Sequence, residues 1–133
     1  MAGVEDYVVA NPVTITADMD VYHAAHIILS NQISGVAVVD AEQKLIGMLS
    51  ELDCLRAMVT SVYNGADPGG ALVKDIMTVK VETNSLEDDL LDVATSMLDH
   101  KHRRRPILDS EGKLQGQITC RQILRAVTNY VQD

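Results

Sequence analysis

Apolar residues fall into short runs along the chain, with two different periods. After a brief β-branched stretch, Val13 to Thr16, the positions Val21, Ala24, Ala25, Ile28 and Leu29 recur at i, i+3, i+4, i+7 and i+8. That is the spacing of one apolar face on a helix, and Asp18 stands where a capping residue is expected. GVAVVD from Gly35 and LIGMLS from Leu45 then read as strands, and the polar AEQK between them fits a hairpin turn. Leu52, Leu55, Val59 and Val62 follow at helical spacing and predict a closing helix with those side chains as its apolar face.

The same order returns further along. Leu90, Val93, Ala94, Met97 and Leu98 repeat the first helical pattern; RPILD, SEGK and LQGQIT repeat the strand, turn and strand; Ile123, Val127 and Tyr130 mark a second closing helix. VEDYV from Val4 aligns with VKDIM from Val73, and VVDAEQKLIGMLSELDCLRAM from Val38 aligns with ILDSEGKLQGQITCRQILRAV from Ile107, both at an offset of 69. Between these anchors the register slips by three and recovers, around Asn11 and Pro12 in one copy and around Asn84 to Leu86 in the other. The chain therefore reads as two β-α-β-β-α repeats, α/β or α+β in class. Repeat 1 spans 1–62, a linker containing NGADPGG spans 63–72, and repeat 2 spans 73–133. Each half is too small to bury its sheet alone, so one joint module is expected.

Composition narrows the functions. There is no Trp and no Phe, and the tyrosines are Tyr7, Tyr22, Tyr63 and Tyr130, so the core is aliphatic and a bound base would lie against Val, Ile, Leu or Met. A net charge of −8 argues against nucleic acid and acidic membranes, whose affinity for proteins comes largely from neutralised phosphates. Cys54 and Cys120 have neither metal-ligand spacing nor a disulfide framework. The start MAGVEDYVV has no basic leader and no long apolar run, so a reduced, cytoplasmic setting is expected.

Two features stand out against that background. At the first strand-to-helix corner, Ser50-Glu51-Leu52-Asp53 permits two readings. It is a capping box, Ser50 capping the helix and the acid returning to the cap's N–H; or it presents a carboxylate able to accept hydrogen bonds from the vicinal hydroxyls of a ribose. The second corner reads Thr119-Cys120-Arg121-Gln122, with an amide in place of the acid. The run KHRRRPILD from Lys101 concentrates cations in an otherwise acidic chain. In a strand, Arg103 and Arg105 would share one face and Arg104 the other. Such a run discourages edge-to-edge strand pairing, and its guanidinium forks also suit phosphate.

The V-x-D-h-h segment, the β-α-β-β-α order, the VVD and ILD strands, the G-h-h-S/T strand end and the tandem copy together resemble a pair of CBS (cystathionine-β-synthase) domains over nearly the whole chain. The resemblance implies a pseudo-two-fold pair with a cleft between the repeats, where family members bind adenosine-containing ligands and regulate a partner protein. It implies a ribose motif at Gly47, Ser50 and Asp53, joined by the backbone of Thr78, Val79 and Lys80 and by Arg103, Arg104, Arg105 and Pro106, with Met48 and Leu52 as apolar contacts for adenine. Arg104 best matches the family's basic position. A second, weaker site would use Pro12, Val13, Thr14, Gly35, Thr119 and Gln122, with neither acid nor arginines.

The expected ligand is thus AMP, ADP or ATP, acting as a regulatory ligand and not as a catalytic cofactor. S-adenosylmethionine is disfavoured because its sulfonium would sit beside arginines. A homodimer and a regulated protein are the expected partners, and a scaffold or docking module without ligand is the alternative. No team of side chains suits catalysis, so no enzyme is expected. His23 and His26 lack a third ligand for a metal, and no metal is expected. His100 and His102 flank the basic run, and the methionines read as core gap-fillers.

Overall fold

Each repeat forms its own sheet in the computed structural model, which describes residues 3–132. The elements run in the order of a 3-10 turn at Val4–Asp6, β1 (Val9–Ala10), β2 (Thr14–Ile15), α1 (Val21–Ser30), β3 (Gly35–Val39), β4 (Leu45–Ser50), α2 (Glu51–Tyr63), α3 (Val73–Ile76), α4 (Leu90–His100), β5 (Arg104–Leu108), β6 (Leu114–Thr119) and α5 (Cys120–Gln132). One sheet has the order β2-β3-β4 and the other β1-β6-β5. The mixed α+β class and the duplicated strand–helix order follow the apolar pattern of the sequence.

The hairpins form where polar turns separate β-branched runs. In the first turn Asp40 Oδ1 accepts from the amides of Glu42 (2.8 Å) and Lys44 (3.0 Å); in the second Asp109 Oδ1 accepts from those of Glu111 (2.8 Å) and Lys113 (2.9 Å). These are aspartate-closed turns that fix the strand register. Helix α1 starts two residues later than the spacing suggests: the cap is Asp20, which accepts from the amide of His23, while Asp18 accepts from Thr16 Oγ1 in the preceding turn. The strand expected from Val13 to Thr16 shortens to Thr14–Ile15. Its counterpart in the second repeat is a parallel bridge of Asn84 to Ile107.

Packing does not respect the sequence repeats. One compact unit is Val13–Val81; the other is Met1–Pro12 with Glu82–Asp133. The segment leading into each repeat thus packs on the hairpin of the other. In the second unit β1 pairs antiparallel with β6, Val9 opposite Gln117. In the first unit Thr78, just beyond α3, bridges Met48 of β4, with amide-to-carbonyl bonds of 2.9 Å in both directions. Val4 and Val73, equivalent residues of these two segments, are each fully buried. The strands accept such neighbours because a glycine faces them. A Cβ at Gly116 would lie 2.6 Å from the Val9 carbonyl oxygen, and one at Gly47 would lie 2.6 Å from Met77 Sδ and 3.0 Å from the Thr78 oxygen.

Each unit has an aliphatic core. Ile15, Val21, Ala24, Ile28, Val36, Val38, Leu49, Cys54 and Val73 form one; Val4, Leu90, Val93, Met97, Ile107, Ile118 and Ala126 form the other. The helical faces of α1 and α4 are narrower than their patterns, with Leu29 and Leu98 exposed. On α2 the core side is Cys54, with Ala57 and Met58, and the expected face of Leu52, Leu55, Val59 and Val62 turns outward. On α5 Ala126 is buried and Ile123 packs against the core, while Tyr130 is exposed.

Among the described residues, one charged side chain is buried. Arg105 is 1% exposed. Its Nη1 donates to Asn84 Oδ1 (2.8 Å) and Ser96 Oγ (3.1 Å), and its Nη2 donates to His102 Nδ1 (3.3 Å). Asn84 in turn donates from Nδ2 to Asp88 Oδ2 at 2.7 Å, so the nearest carboxylate in this chain of bonds is one amide removed. Bonds from the Ser85 backbone and the Asn84 side chain hold the Asp88 carboxyl below its ordinary range. Because guanidinium can only donate, His102 Nδ1 must be unprotonated to accept. Burial first, and then the charges of Arg105 and His100, push the His102 imidazole below its ordinary value, with Glu82 opposing. His100 stacks on His102 at 5.3 Å and reaches Glu82 Oε1 at 3.7 Å.

Two expectations follow from this packing. Gly116→Ala must displace the backbone of β1 and should cost about 1–3 kcal/mol, whereas Gly47→Ala chiefly meets a flexible thioether and should cost less. Urea midpoints of the two variants give the order, and equal losses would contradict it. His102 is favoured neutral in the folded chain, so its contribution to stability is present above the unfolded value of 6.5 and lost as pH falls from there through the lowered folded value. Melting temperatures from pH 7.5 to 5 should fall more steeply for the wild type than for His102→Gln, which keeps an acceptor but does not titrate. Parallel curves would exclude His102 as the source.

Candidate ligand site

The sequence-predicted residues divide between the two units. Val13, Thr14, Gly35, Met48, Ser50, Leu52, Asp53, Thr78, Val79 and Lys80 lie in the unit Val13–Val81. Pro12, Arg103, Arg104, Arg105, Pro106, Thr119 and Gln122 lie in the other.

In the first unit the corner from β4 to α2 is a complete capping box. The Asp53 amide donates to Ser50 Oγ and the Ser50 amide donates to Asp53 Oδ2, each at 3.0 Å. The structural reading of Ser-x-x-Asp is therefore realised, and it occupies one carboxylate oxygen. The other, Oδ1, faces Arg56 Nη1 at 3.7 Å, with the Asp53 side chain 17% exposed. Asp53, Arg56, Ala57, Thr60, Ala71 and Ile76 line a shallow depression of about 340 Å³. Arg56 was not among the sequence candidates; its place one turn beyond the acid, at i+3, is the signal that identifies it.

Sheet register sets the residues around this corner. Gly35 pairs with Ser50, Thr14 with Ala37, Ala37 with Met48, and Met48 with Thr78, so small or apolar residues continue in rows across the sheet. Met48 and Ser50, two apart on β4, share a face. Thr78, Val79 and Lys80 are exposed. Leu52 is 66% exposed and lies on the same side of α2 as Leu55 and Val59, not with the inward Cys54.

At the equivalent positions the second unit carries different chemistry. Arg104 pairs with Thr119 and Pro106 with Gln117, so Arg104, Pro106, Gln117 and Thr119 stand where the first unit has Gly35, Ala37, Met48 and Ser50. Arg104 Nη1 donates to Gln117 Oε1 at 3.4 Å, and burial draws its proton affinity below the ordinary arginine value. Gln117, two residues before Thr119 on one strand face, also escaped the sequence reading. The Gln122 amide donates to Thr119 Oγ1 at 3.3 Å, capping α5 as Ser50 caps α2. Arg103 is exposed and Pro106 buried. Arg105, grouped with the other two arginines by sequence, is spent on Asn84, Ser96 and His102 inside the unit.

Among the described residues, no group of three or more His, Cys, Asp or Glu is gathered to hold a metal, and no helix is long and apolar enough to cross a membrane. His23 Nδ1 meets Asp20 Oδ1 at 2.7 Å at the start of α1.

Comparison with known proteins matches this geometry to a family. The CBS domain model matches residues 4–60 and again 73–129. Inosine-5'-monophosphate dehydrogenase from Aquifex aeolicus (strain VF5) is 36% identical over 122 residues, covering 91% of this chain but only 24% of the enzyme. The chloroplastic CBS domain-containing protein CBSX1 of Arabidopsis thaliana is 32% identical over 145 residues, covering 92% of this chain and 59% of that protein. The chain thus spans about a quarter of the dehydrogenases it matches. Among solved structures, CBSX2 from Arabidopsis thaliana superposes with a TM-score of 0.86 at 25% identity, covering 98% of this chain and 97% of the other. A putative acetoin utilization protein (AcuB) from Vibrio cholerae gives 0.85 at 26%, covering 99% and 94%. With the family model matched once in each repeat, the chain belongs to the CBS domain family as a tandem pair.

Proposed function

We propose that the chain is a regulatory module that binds an adenine nucleotide, AMP, ADP or ATP. Ser50 and Asp53 take the ribose hydroxyls, Met48 lies against the base with the backbone of Thr78, Val79 and Lys80, and Arg103 and Arg104 take the phosphate. The observation that carries this reading is the half-used carboxylate of Asp53: Oδ2 holds the helix start, while Oδ1 is not needed by the cap and faces Arg56 at 3.7 Å. The small, apolar surroundings of Gly35, Ala37 and Met48 fit a base better than their counterparts Arg104, Pro106 and Gln117 do. The ligand class is supported by two solved structures of this fold: CBSX2 in complex with AMP, and MJ0100 in complex with 5-methylthioadenosine and S-adenosyl-L-methionine.

The proposal leaves two sequence candidates with other work. Leu52 faces outward with Leu55, and Arg105 positions β5 from within, so neither is assigned to the ligand. Thr119 and Gln122, without a carboxylate, form no second strong site with Pro12, Val13, Thr14 and Gly35. Self-association as a homodimer and control of a partner protein belong to the same reading. So does a reducing, cytoplasmic setting, consistent with the free thiols of Cys54 and Cys120. The completed capping box favours one rival, a docking scaffold in which Asp53 serves its helix alone.

A thermal and chemical denaturation series separates the two. Nucleotide at a hundred times its dissociation constant should add about 2.7 kcal/mol of stability. Asp53→Asn keeps an oxygen for the Ser50 amide but removes the charge, and should weaken binding roughly ten- to hundredfold, the worth of a charge-assisted bond. Arg104→Ala should do the same for AMP and less for adenosine. S-adenosylmethionine should stabilise less than AMP. No response of the wild type to any of these compounds would establish the scaffold instead.

A further inference from the structure

A guanidinium stands beside the carboxylate oxygen that the capping box leaves open. Asp53 Oδ2 accepts from the Ser50 amide, and Oδ1 is faced by Arg56 Nη1 at 3.7 Å. That separation exceeds a hydrogen bond, so the contact is a loose ion pair, with the Arg56 side chain 72% exposed. Among the described residues Arg56 meets no other carboxylate. An exposed pair of this kind is worth little and is readily exchanged. Both side chains line the depression of about 340 Å³, so the guanidinium has room to leave the carboxylate without leaving the site. The second repeat provides a comparison. At the offset of 69 it carries Gln122 and Arg125, keeping the guanidinium and losing the acid. Arg125 is exposed, and among the described residues no carboxylate lies within ion-pairing distance of it. Helix α5 forms without the pair, so the fold does not require it on α2.

We infer that Arg56 makes this corner select phosphorylated ligands by exchanging partners. The inference rests on the nucleotide reading above and names a residue that sets its preference. In the empty site the guanidinium attends Oδ1, the oxygen that a ribose diol needs as its acceptor. A nucleoside must displace it and leaves the cation without an anionic partner. A nucleotide displaces it too, but its phosphate offers the guanidinium fork a bidentate partner, a better one than a carboxylate at 3.7 Å. The transferred cation also offsets the repulsion between the phosphate and the Asp53 carboxylate. Arg56 lies one turn along α2 from Asp53, so the two can serve the phosphate and the ribose of one ligand. Everything the exchange needs lies within the unit Val13–Val81.

Calorimetric titration of the full chain with AMP and with adenosine tests the exchange. Arg56→Gln should bind adenosine roughly two- to fivefold more tightly, the worth of an exposed ion pair. It should bind AMP about tenfold or more weakly, the worth of one charge-assisted bond. The two affinities thus move in opposite directions, which a general loosening of α2 cannot produce. Arg56→Lys, a point charge without the fork, should keep part of the preference for AMP. Arg125→Gln should leave both affinities at their wild-type values, and a matching shift there would overturn the assignment to Arg56. In Arg56→Gln, a parallel loss of both ligands, an unchanged ratio, or weaker AMP with adenosine unimproved overturns the exchange and leaves the nucleotide reading intact. A wild type that binds neither compound overturns that reading and this inference together.

Discussion

The space above two glycines governs how this chain is wound. At position 116 a single methyl group would stand 2.6 Å from the Val9 oxygen, and at position 47 an equal distance from the Met77 sulfur. Hydrogen at both places lets the segment that leads into one repeat lie directly against the last strand of the other repeat's hairpin. Duplication alone would give two independent halves. The close approach ties them instead, since Met1–Pro12 packs with Glu82–Asp133 and residues 64–81 pack with the first repeat. It also shapes the corner from β4 to α2, because the Met48–Thr78 bridge brings the residues beyond α3 alongside β4, two residues from Ser50. The backbone of Thr78 to Lys80 is available there only because of that exchange.

On this shared strand–helix order the two copies have diverged mainly in chemistry. Both corners cap their helices with a hydroxyl. One adds a carboxylate, small neighbours and an apolar Met48; the other adds an amide, Arg104 and Gln117. The first arrangement can accept hydrogen bonds from a diol and admit a flat base. The second offers donors, suited to an anion. Each arrangement is built on a strand-to-helix corner whose geometry is fixed by local bonds.

Much of this was legible in the sequence. The duplicated strands, hairpins and helices follow from apolar period and turn residues, and β4 and β6 begin and end where the pattern places them. The capping box at Ser50 and Asp53 is written in four residues. What escaped depends on tertiary choices. Helical spacing reveals a stripe but not which stripe meets the core, and on α2 the smaller Cys54 and Ala57, with Met58, take the inside that four larger residues seemed to claim. Period two separates Arg104 from Arg105 but cannot say which is buried; that is decided by Asn84, Ser96 and His102, which supply neutral acceptors for a guanidinium. The exchange of leading segments leaves no local mark, because VEDYV and VKDIM look alike whichever hairpin they join.

The central claim is that duplication has left one corner of the pair equipped for a nucleotide. Isothermal titration calorimetry of the wild-type chain with AMP tests it most directly, through the stoichiometry. A single site per chain is expected. Two equal sites per chain would contradict the asymmetry of the corners, and no heat or saturation at any accessible concentration would contradict nucleotide binding itself.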